Sequence, residues 1–432
     1  MSNLPNNPDV IVIGAGTSGL SAAKELKSAG FDTLVLESSD HVGGRCITDT
    51  TTFSAPFDRG GSWLHSAEIN PLSEIARANG FEFHKKPWSW NWVTIADYAL
   101  NDKEVAEYTD YLDLMWDRIV EVGKKDNTVD IASILPESRW RDTAKLFIAQ
   151  MLGGDYDVTS PTDMANYADS DGDWLVGGGL GEFIRYLHSD VDVVLNCAVS
   201  KIDYSGPLIR VETPKGIVEA KHVILTVSVG VLAAEKIEFV PALPNWKLEA
   251  INKLPNGLLN KVGIEFDPDW KEASEGFALD YHTGGEEYCS IAFKFYDSEL
   301  ATGFTAGRFA AQLEADGPGT ATDFCMEALR ATFGNEVTKF VRKTSETHWN
   351  GNTHTFGSYS YALPGCTVAR ETLAKPLDEK IFFAGEATMP NAFATVHGAY
   401  LSGKEALKRL LEVNGNTEQN LATDREENRE YQ

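Results

Sequence analysis

The chain has 432 residues, 43% of them hydrophobic and 24% charged, which is enough length and apolar content for two domains with cores of their own. A formal net charge of −26 argues against a nucleic-acid binder, and suits either a cationic substrate or an acidic surface kept for solubility. Five cysteines without CxxC spacing favour neither a zinc site nor a disulfide framework and suggest a reducing, cytoplasmic compartment; no other metal motif is present.

Polar Met1 to Asp9 lacks the pattern of a signal peptide, and no run approaches the roughly 20 apolar residues of a membrane span. Val10–Ile13 reads as a strand, Ser18–Ala29 as a helix and Thr33–Leu36 as a second strand, a βαβ unit. Gly14-Ala15-Gly16-Thr17-Ser18-Gly19 joins the first two as a G-x-G-x-x-G. The first glycine allows the tight turn, the second lets a pyrophosphate approach the backbone, and the third lets helix and strand pack closely. The phosphate rests on free N–H groups at the positive end of the helix. Glu37 ends the second strand, where a carboxylate binds ribose hydroxyls. Gly43-Gly44-Arg45 adds a close backbone approach and a cation for phosphate, which raises FAD over NAD.

Residues 71–79 look helical, opened by Pro71, and Glu104 to Lys124 places Val105, Tyr108, Leu112, Met115, Ile119 and Val120 on one helical face. The loop from Gly153 to Asp173 carries Asp155, Asp157, Asp163, Asp169, Asp171 and Asp173. Such charge runs are usually a solvated loop; the alternative is a ring at a cleft mouth that attracts polyamines. From Val191 to Val231 the pattern turns to β, with strands at Val193–Leu195, Val199–Tyr204, Leu208–Thr213 and Val223–Thr226. Lys261–Phe266 and Ser290–Phe295 are β-rich, and Asp323 to Phe333 is a helix. Near the end, Phe382-Phe383-Ala384-Gly385-Glu386 and the following residues repeat the opening strand–turn–helix. Residues 416–432 read as a disordered acidic tail. The implied fold is α/β: a Rossmann-like domain built from discontinuous segments (1–82, 176–262, 346–415) with an inserted α+β domain (a helical segment 83–175, then 263–345), and a ligand cleft between them.

Several blocks then resemble, in order, the motifs of flavin-containing amine oxidases: Val35 to Arg45, Arg59-Gly60-Gly61-Ser62-Trp63-Leu64-His65 with Asn70-Pro71-Leu72, Asn260-Lys261-Val262, Trp349 with Phe356 to Tyr361, Ala384-Gly385-Glu386, and Ala394 to Ala399. They are most similar to polyamine oxidases, and the last blocks are also similar to the catalytic half of flavin-dependent histone lysine demethylases. The resemblance implies the FAD-binding fold of the amine oxidase type. Gly14, Ala15, Gly16, Ser18, Gly19, Glu37, Gly43, Gly44 and Arg45 would bind the nucleotide end of FAD, with Val199 beside the adenine. Gly61, Ser62, Trp63, Trp349, Gly385 and Glu386 would contact the rest, and Thr395 and Val396 the flavin edge. Ser358 stands where some monoamine oxidases carry the cysteine that attaches FAD, so the cofactor is expected to be noncovalent.

By the same resemblance Lys261 and Tyr359 are the catalytic pair. Lys261 would reach the flavin N5 through a water, with a lowered pKa in a dry site. Tyr359 would be a cage ring over the flavin, Thr395 the opposite wall, and His65 and Trp63 would face the substrate channel. From the residues alone the plainer readings stand beside these: Lys261 on the wet face of a strand, Tyr359 and Tyr361 packing on a half-buried strand, His65 a surface or core histidine, Trp63 a packing residue. Ser66 replaces a family glycine after His65, so the turn there is open to difference. The implied reaction oxidises a C–N bond of an aliphatic amine, a polyamine of the spermine or spermidine type, by hydride transfer to flavin N5. Imine hydrolysis gives an aldehyde and an amine, and O2 becomes H2O2. The molecule is expected to be a monomer or homodimer with no nucleic-acid or membrane partner. An L-amino acid oxidase (with Arg308 or Arg342 for the carboxylate), a monoamine oxidase, a lysine demethylase, and an FAD-binding scaffold without turnover remain alternatives.

Overall fold

The structure, a computed structural model, describes residue 4 and residues 7–86, 88–170 and 172–430, with side chains described as far as Gly415. The βαβ unit consists of β1 (Val10–Ile13), α1 (Thr17–Ser28) and β2 (Thr33–Leu36). A five-stranded parallel sheet runs in the order Val193–Val194, β2, β1, His222–Leu225, Ile381–Phe383. The two-residue period of a strand sends Val10 and Val12 to one face of this sheet and Ile11 and Ile13 to the other. Both faces are covered, which is why β1 reads as an unbroken apolar run. Val10 and Val12 pack with Leu20 and Leu26 of α1 and with Ala406 and Leu410 of the C-terminal helix. Ile11 and Ile13 share a core with Ile202, Val211 and Val218 of a small four-stranded sheet. Each of these Val, Leu and Ile side chains contributes about 1.5–3 kcal/mol on burial.

The opening and closing strand–helix junctions lie on this one sheet, separated by the single strand His222–Leu225. Ile13 pairs with Leu225 and Leu225 with Phe383, so Gly14 and Ala384 leave the sheet at the same edge. The C-terminal helix, Val396–Glu430, lies directly on α1. Ser21 Oγ donates to Tyr400 O at 2.8 Å, Ser18 Oγ meets Ser402 Oγ at 2.9 Å, and Lys404 pairs with Glu25 at 3.0 Å. The helical backbone continues to Glu430, into the segment read as a disordered tail, 416–432; no proline or glycine stands between Asn416 and Glu430 to stop a helix already nucleated. The side chains of 416–430, and Tyr431 and Gln432 altogether, lie outside the described residues.

A seven-stranded sheet forms the second body, in the order Val341–Glu346, Leu259–Phe266, Leu300–Ala306, Tyr288–Phe295, Phe277–His282, Ser89–Ile95, Tyr98–Ala99. The helix Thr320–Phe333 packs into the core on one side of it. The helix Asp102–Gly123 packs on the other, starting two residues before the expected Glu104 because Asn101 forms a capping box with it. Here the sequence reading needs two corrections. The segment 83–175 is not purely helical: Ser89–Ile95 is a strand, and its register skips at Asn91, so that Trp90 and Trp92 pack into different cores. The strand Leu259–Phe266 also runs unbroken through the expected boundary between 262 and 263, which puts Lys261 on the larger sheet. No helix among the described residues is long and apolar enough to cross a membrane.

Gly403 provides a test of the helix contact. A Cβ there would stand 2.3 Å from Ser18 O and 2.8 Å from Ala22 N, whereas at Gly415 of the same helix it would meet nothing within 4 Å. Glycine to alanine in a free helix stabilises by up to about 1 kcal/mol, and overpacking costs about 1–3 kcal/mol. Gly403→Ala is expected to destabilise and Gly415→Ala to be neutral or stabilising, as read by urea denaturation.

Candidate functional site

At the first junction the glycines are required by space. Gly14 has φ +102, and a Cβ on Gly19 would stand 1.9 Å from Gly14 O. Gly16 forms a β-bridge with Gly43, and a Cβ on Gly44 would be 3.1 Å from the Gly16 Cα. Three strips of backbone therefore meet with no side chain between them. Gly16 caps α1 without a side-chain hydrogen bond, so the positive end of the helix carries no anion of its own. Glu37 is buried, with Oε2 accepting from Ala15 N at 2.6 Å and Oε1 from Ser39 N at 2.8 Å. Cys197 N donates to Glu37 O, which brings the loop with buried Val199 alongside. Val199 precedes its strand, which is Lys201–Asp203. A dinucleotide fits this cradle: a phosphate on the uncapped helix, sugar hydroxyls on Glu37, and a close backbone approach where glycine leaves room.

At the second junction Gly385 has φ +135 and an added Cβ would meet nothing within 4 Å. Glu386 beside it is buried and fully partnered. It accepts from Arg45 Nη1 at 3.0 Å, Ser360 N at 3.2 Å, Ser360 Oγ at 2.7 Å and Ala394 N at 2.9 Å. Burial works to raise its pKa, but Arg45 and Arg370 outweigh this and hold the carboxyl below its usual value. Thr395 Oγ1 accepts from Gly398 N at 3.0 Å and donates to Ala392 O at 2.8 Å, so its hydroxyl is committed to starting the C-terminal helix.

Between the junctions, the segment Arg59 to Trp63 gathers residues from four distant parts of the chain. Gly61 N donates to Arg45 O, and a Cβ on Gly61 would stand 2.6 Å from Val396 Cγ2. Trp349 Nε1 donates to Arg59 O at 3.1 Å. Lys261 Nζ donates to Asp58 O at 3.0 Å, to Gly60 O and to Ser62 Oγ, and lies 5.3 Å from the centroid of the Trp63 ring. Lys261 is buried, not on a wet face, and burial lowers its pKa to about 8 although Asp58 and Cys46 pull it upward. The Asp58 carboxyl accepts from Thr48, from Tyr296 OH and from Leu180 N at 3.1 Å, and burial raises its pKa.

Tyr359 and Tyr361 do not sit on a regular strand; one bridge, Asn256 to Ser360, fixes the strap that carries them. Tyr359 OH donates to Gln150 O at 2.8 Å and its ring lies against Gly153, while Tyr361 packs on Gly154. Burial raises the Tyr359 pKa and keeps the phenol protonated. Ser358 Oγ is engaged at 2.9 Å with both Leu259 N and Leu259 O. His65 Nδ1 meets Asp173 Oδ1 at 2.9 Å; burial disfavours its charge, yet Asp173 and Asp169 raise its pKa. Ser66 takes φ +49, in the left-handed region that favours glycine, and donates to Ala168 O at 3.0 Å. His397, buried nearby, is pushed down to about 4 by burial and by His65.

The acids of the 153–173 loop are in part solvated, with Asp157, Asp169 and Asp173 exposed, but each described one has a partner. Asp155 and Asp157 pair with Arg308, Asp169 accepts from Ser66, and Asp173 pairs with His65. Asp163 is buried against Arg370, with bonds of 2.9 and 2.6 Å, and Asp171 lies outside the described residues. The sequence reading passed over Asp58, Tyr296, Ser360 and Arg370. A signal existed for Arg370, a cation one turn from Leu373 and Ala374 on the apolar face of a short helix, where burial demands an anion or several hydrogen-bond acceptors.

The chain matches the family model described as flavin containing amine oxidoreductase over residues 17–105 and 135–411. Over 92% of its length it is 30% identical to "Lysine-specific histone demethylase 1 homolog 1" of Oryza sativa subsp. japonica, spanning about half (51%) of that protein. It is also 30% identical to polyamine oxidase 2 of Arabidopsis thaliana, over 95% of this chain and 90% of that protein. Among solved structures, cyclohexylamine oxidase from Brevibacterium oxydans IH-35A is similar with a TM-score of 0.78 at 23% identity, over 94% of this chain and 100% of that one. A putrescine oxidase bound to putrescine is similar with a TM-score of 0.75 at 22% identity, over 94% and 99%. At these identities the structures share the fold.

The lowered pKa of Lys261 sets a stability profile. Between about 8 and the ordinary value of 10.5 the unfolded chain holds this proton and the folded chain releases it. Lys261's contribution to stability therefore rises with pH across that window, by at most about 1.4 kcal/mol per pH unit, and is flat below it. The stability difference between wild type and Lys261→Met, measured by denaturant unfolding at a series of pH values in one cofactor state, is expected to move in favour of wild type from pH 8 to 10.5.

Proposed function

The chain belongs to the flavin-containing amine oxidoreductases, and from that membership we propose that it is an FAD-dependent oxidase of an aliphatic amine, a polyamine of the spermine or spermidine type. The observation that carries the reading is the convergence of Lys261, Arg45, Trp349 and Val396 on Arg59 to Trp63. In this reading the glycine cradle and the start of α1 hold the pyrophosphate, and Glu37 the ribose. Arg45 and Glu386 hold the middle of the cofactor, and Thr395 and Val396 its far edge. Ser358 offers no thiol for attachment, so FAD is held without a covalent bond. The flavin supplies, when bound, an acceptor for a hydride equivalent, which none of the side chains can provide.

The protein's own residues do the rest. Tyr359, fixed by its bond to Gln150 O, presents a ring against which the amine packs, with Trp63 on the Lys261 side. Lys261, with a pKa near 8, can hold or give up a proton at Nζ close to neutral pH. Burial of the site around it excludes water until the amine has been oxidised. Net, amine, dioxygen and water give an aldehyde, a shorter amine and hydrogen peroxide.

One observation disfavours an L-amino acid oxidase among the alternatives. The two arginines considered for an amino-acid carboxylate are already neutralised, Arg308 by Asp155 and Asp157 and Arg342 by Asp267. A peroxide-coupled assay on spermine, spermidine, putrescine, simple monoamines, L-amino acids and a methyl-lysine peptide tests the reading. Spermine or spermidine is expected to give the highest kcat/KM, with L-amino acids inert. A yellow protein that releases no peroxide from any of them would instead be a scaffold. Tyr359→Ala is expected to raise KM for the best amine about tenfold, the equivalent of about 1.4 kcal/mol of lost ring contact.

A further inference from the structure

Arg370 has no exposed surface, and its charge is balanced within a chain of four buried or half-buried ions. Its guanidinium forks onto both oxygens of Asp163 and crosses the ring of Phe393 at 4.2 Å. The free edge reaches Ser360: Nη1 donates to Ser360 Oγ at 2.8 Å, and that hydroxyl donates to Glu386 Oε2 at 2.7 Å. Glu386 in turn pairs with Arg45, whose Nη1 also donates to Ser358 O at 2.7 Å. The order is Asp163, Arg370, Ser360, Glu386, Arg45, with the two acids and two arginines neutral in sum.

The position of this chain of charges is specific. Tyr359 lies between two of its contacts on the strap. Ser358 O is held by Arg45, Ser360 N and Oγ by Glu386, and Ala362 N donates to Asp163 Oδ2 at 2.8 Å. The backbone on both sides of Tyr359 is thus pinned to ions, while its own side chain donates to Gln150 O and rests its ring against Gly153. Asp163 belongs to the helix Pro161–Asn166, which packs on the long helix Asp102–Gly123. The series therefore runs from the helical side of the molecule to the second strand–helix junction.

We propose that Arg370 is a positioning residue that sets Tyr359 and Glu386 relative to each other through the Ser360 hydroxyl, coupling the amine side of the site to the cofactor side. The proposal rests on the functional reading above, in which Tyr359 faces the amine and Glu386 the FAD. A buried guanidinium with both its acid and its hydroxyl partner has one low-energy geometry, so the strap and the carboxylate share one position.

Ser360→Ala is the test, because it removes the bridging hydroxyl and leaves both ion pairs in place. FAD affinity of the apoprotein, read by quenching of FAD fluorescence, is expected to weaken about tenfold, as is KM for the best amine of the assay panel, since hydrogen bonds to charged groups carry effects of roughly that size. The apoprotein melting temperature is expected to move little. In a Tyr359→Ala background, Ser360→Ala should still weaken FAD binding but no longer change KM. A purely structural serine would lower the melting temperature and leave the FAD affinity and KM of the folded protein unchanged, and that result overturns the proposal. A wild type that takes up no FAD or oxidises no amine overturns the functional reading, and this inference with it. A wild type that does both, matched in both by Ser360→Ala, overturns the inference alone.

Discussion

The contact between α1 and the C-terminal helix is the constraint on which the architecture rests. Ser402 Oγ accepts from Gly385 N at 2.9 Å, donates to Ala399 O at 2.7 Å and meets Ser18 Oγ at 2.9 Å. One hydroxyl thus ties the last turn of the sheet to the first helix, across 384 residues of sequence. Gly403 makes the approach possible by carrying no Cβ where the backbone of α1 passes. Once the two helices are held together, the chain between them must leave and return at the same sheet, and it folds as separate excursions. The seven-stranded sheet and its helices are the largest of these.

A second physical theme is the handling of buried charge. An ion taken out of water is tolerated only with an opposite charge or several hydrogen bonds. Lys261 is held mainly by main-chain oxygens and Ser62, with the Asp58 carboxyl close enough to act only through space, and burial lowers its pKa. Glu386 is paired directly with Arg45 and backed by Arg370, so it stays ionised despite its burial. Asp280, in the second body, has only Tyr108 and Tyr288 as hydrogen-bond donors among the described residues, and burial raises it to about 7. The ionisation of each acid or base follows from whether its partner is charged, neutral or merely nearby.

Much of the fold could be read in advance because its signals are local. The glycines at 14, 16 and 19 mark a turn with a steric requirement, and the unbroken Val10–Ile13 run marks a strand covered on both faces. The helix beginning at Asp102 announced itself by the spacing of Tyr108, Leu112, Met115 and Ile119, all buried. Ser89–Ile95 was harder to read, because a register skip at Asn91 breaks the alternation that identifies a strand. The acids between 153 and 173 were harder still. A list of aspartates does not show that Asp163 faces a buried arginine and Asp157 an exposed one, since the partners come from positions more than 150 residues away.

The sequence by itself determined the glycine cradle, the two strand–helix junctions and the class of fold, because glycine sterics, strand alternation and helix periodicity act between near neighbours. Only the tertiary structure decided the rest of the site. Burial, and not the strand pattern around it, makes Lys261 a depressed amine, and only the folded chain brings Gly60, Asp58 and Ser62 to its Nζ. The ion series from Asp163 to Arg45 likewise joins three distant segments and exists nowhere in the linear order. Electrostatic partners are chosen by distance in space and by the exclusion of water, and neither is a property of sequence position.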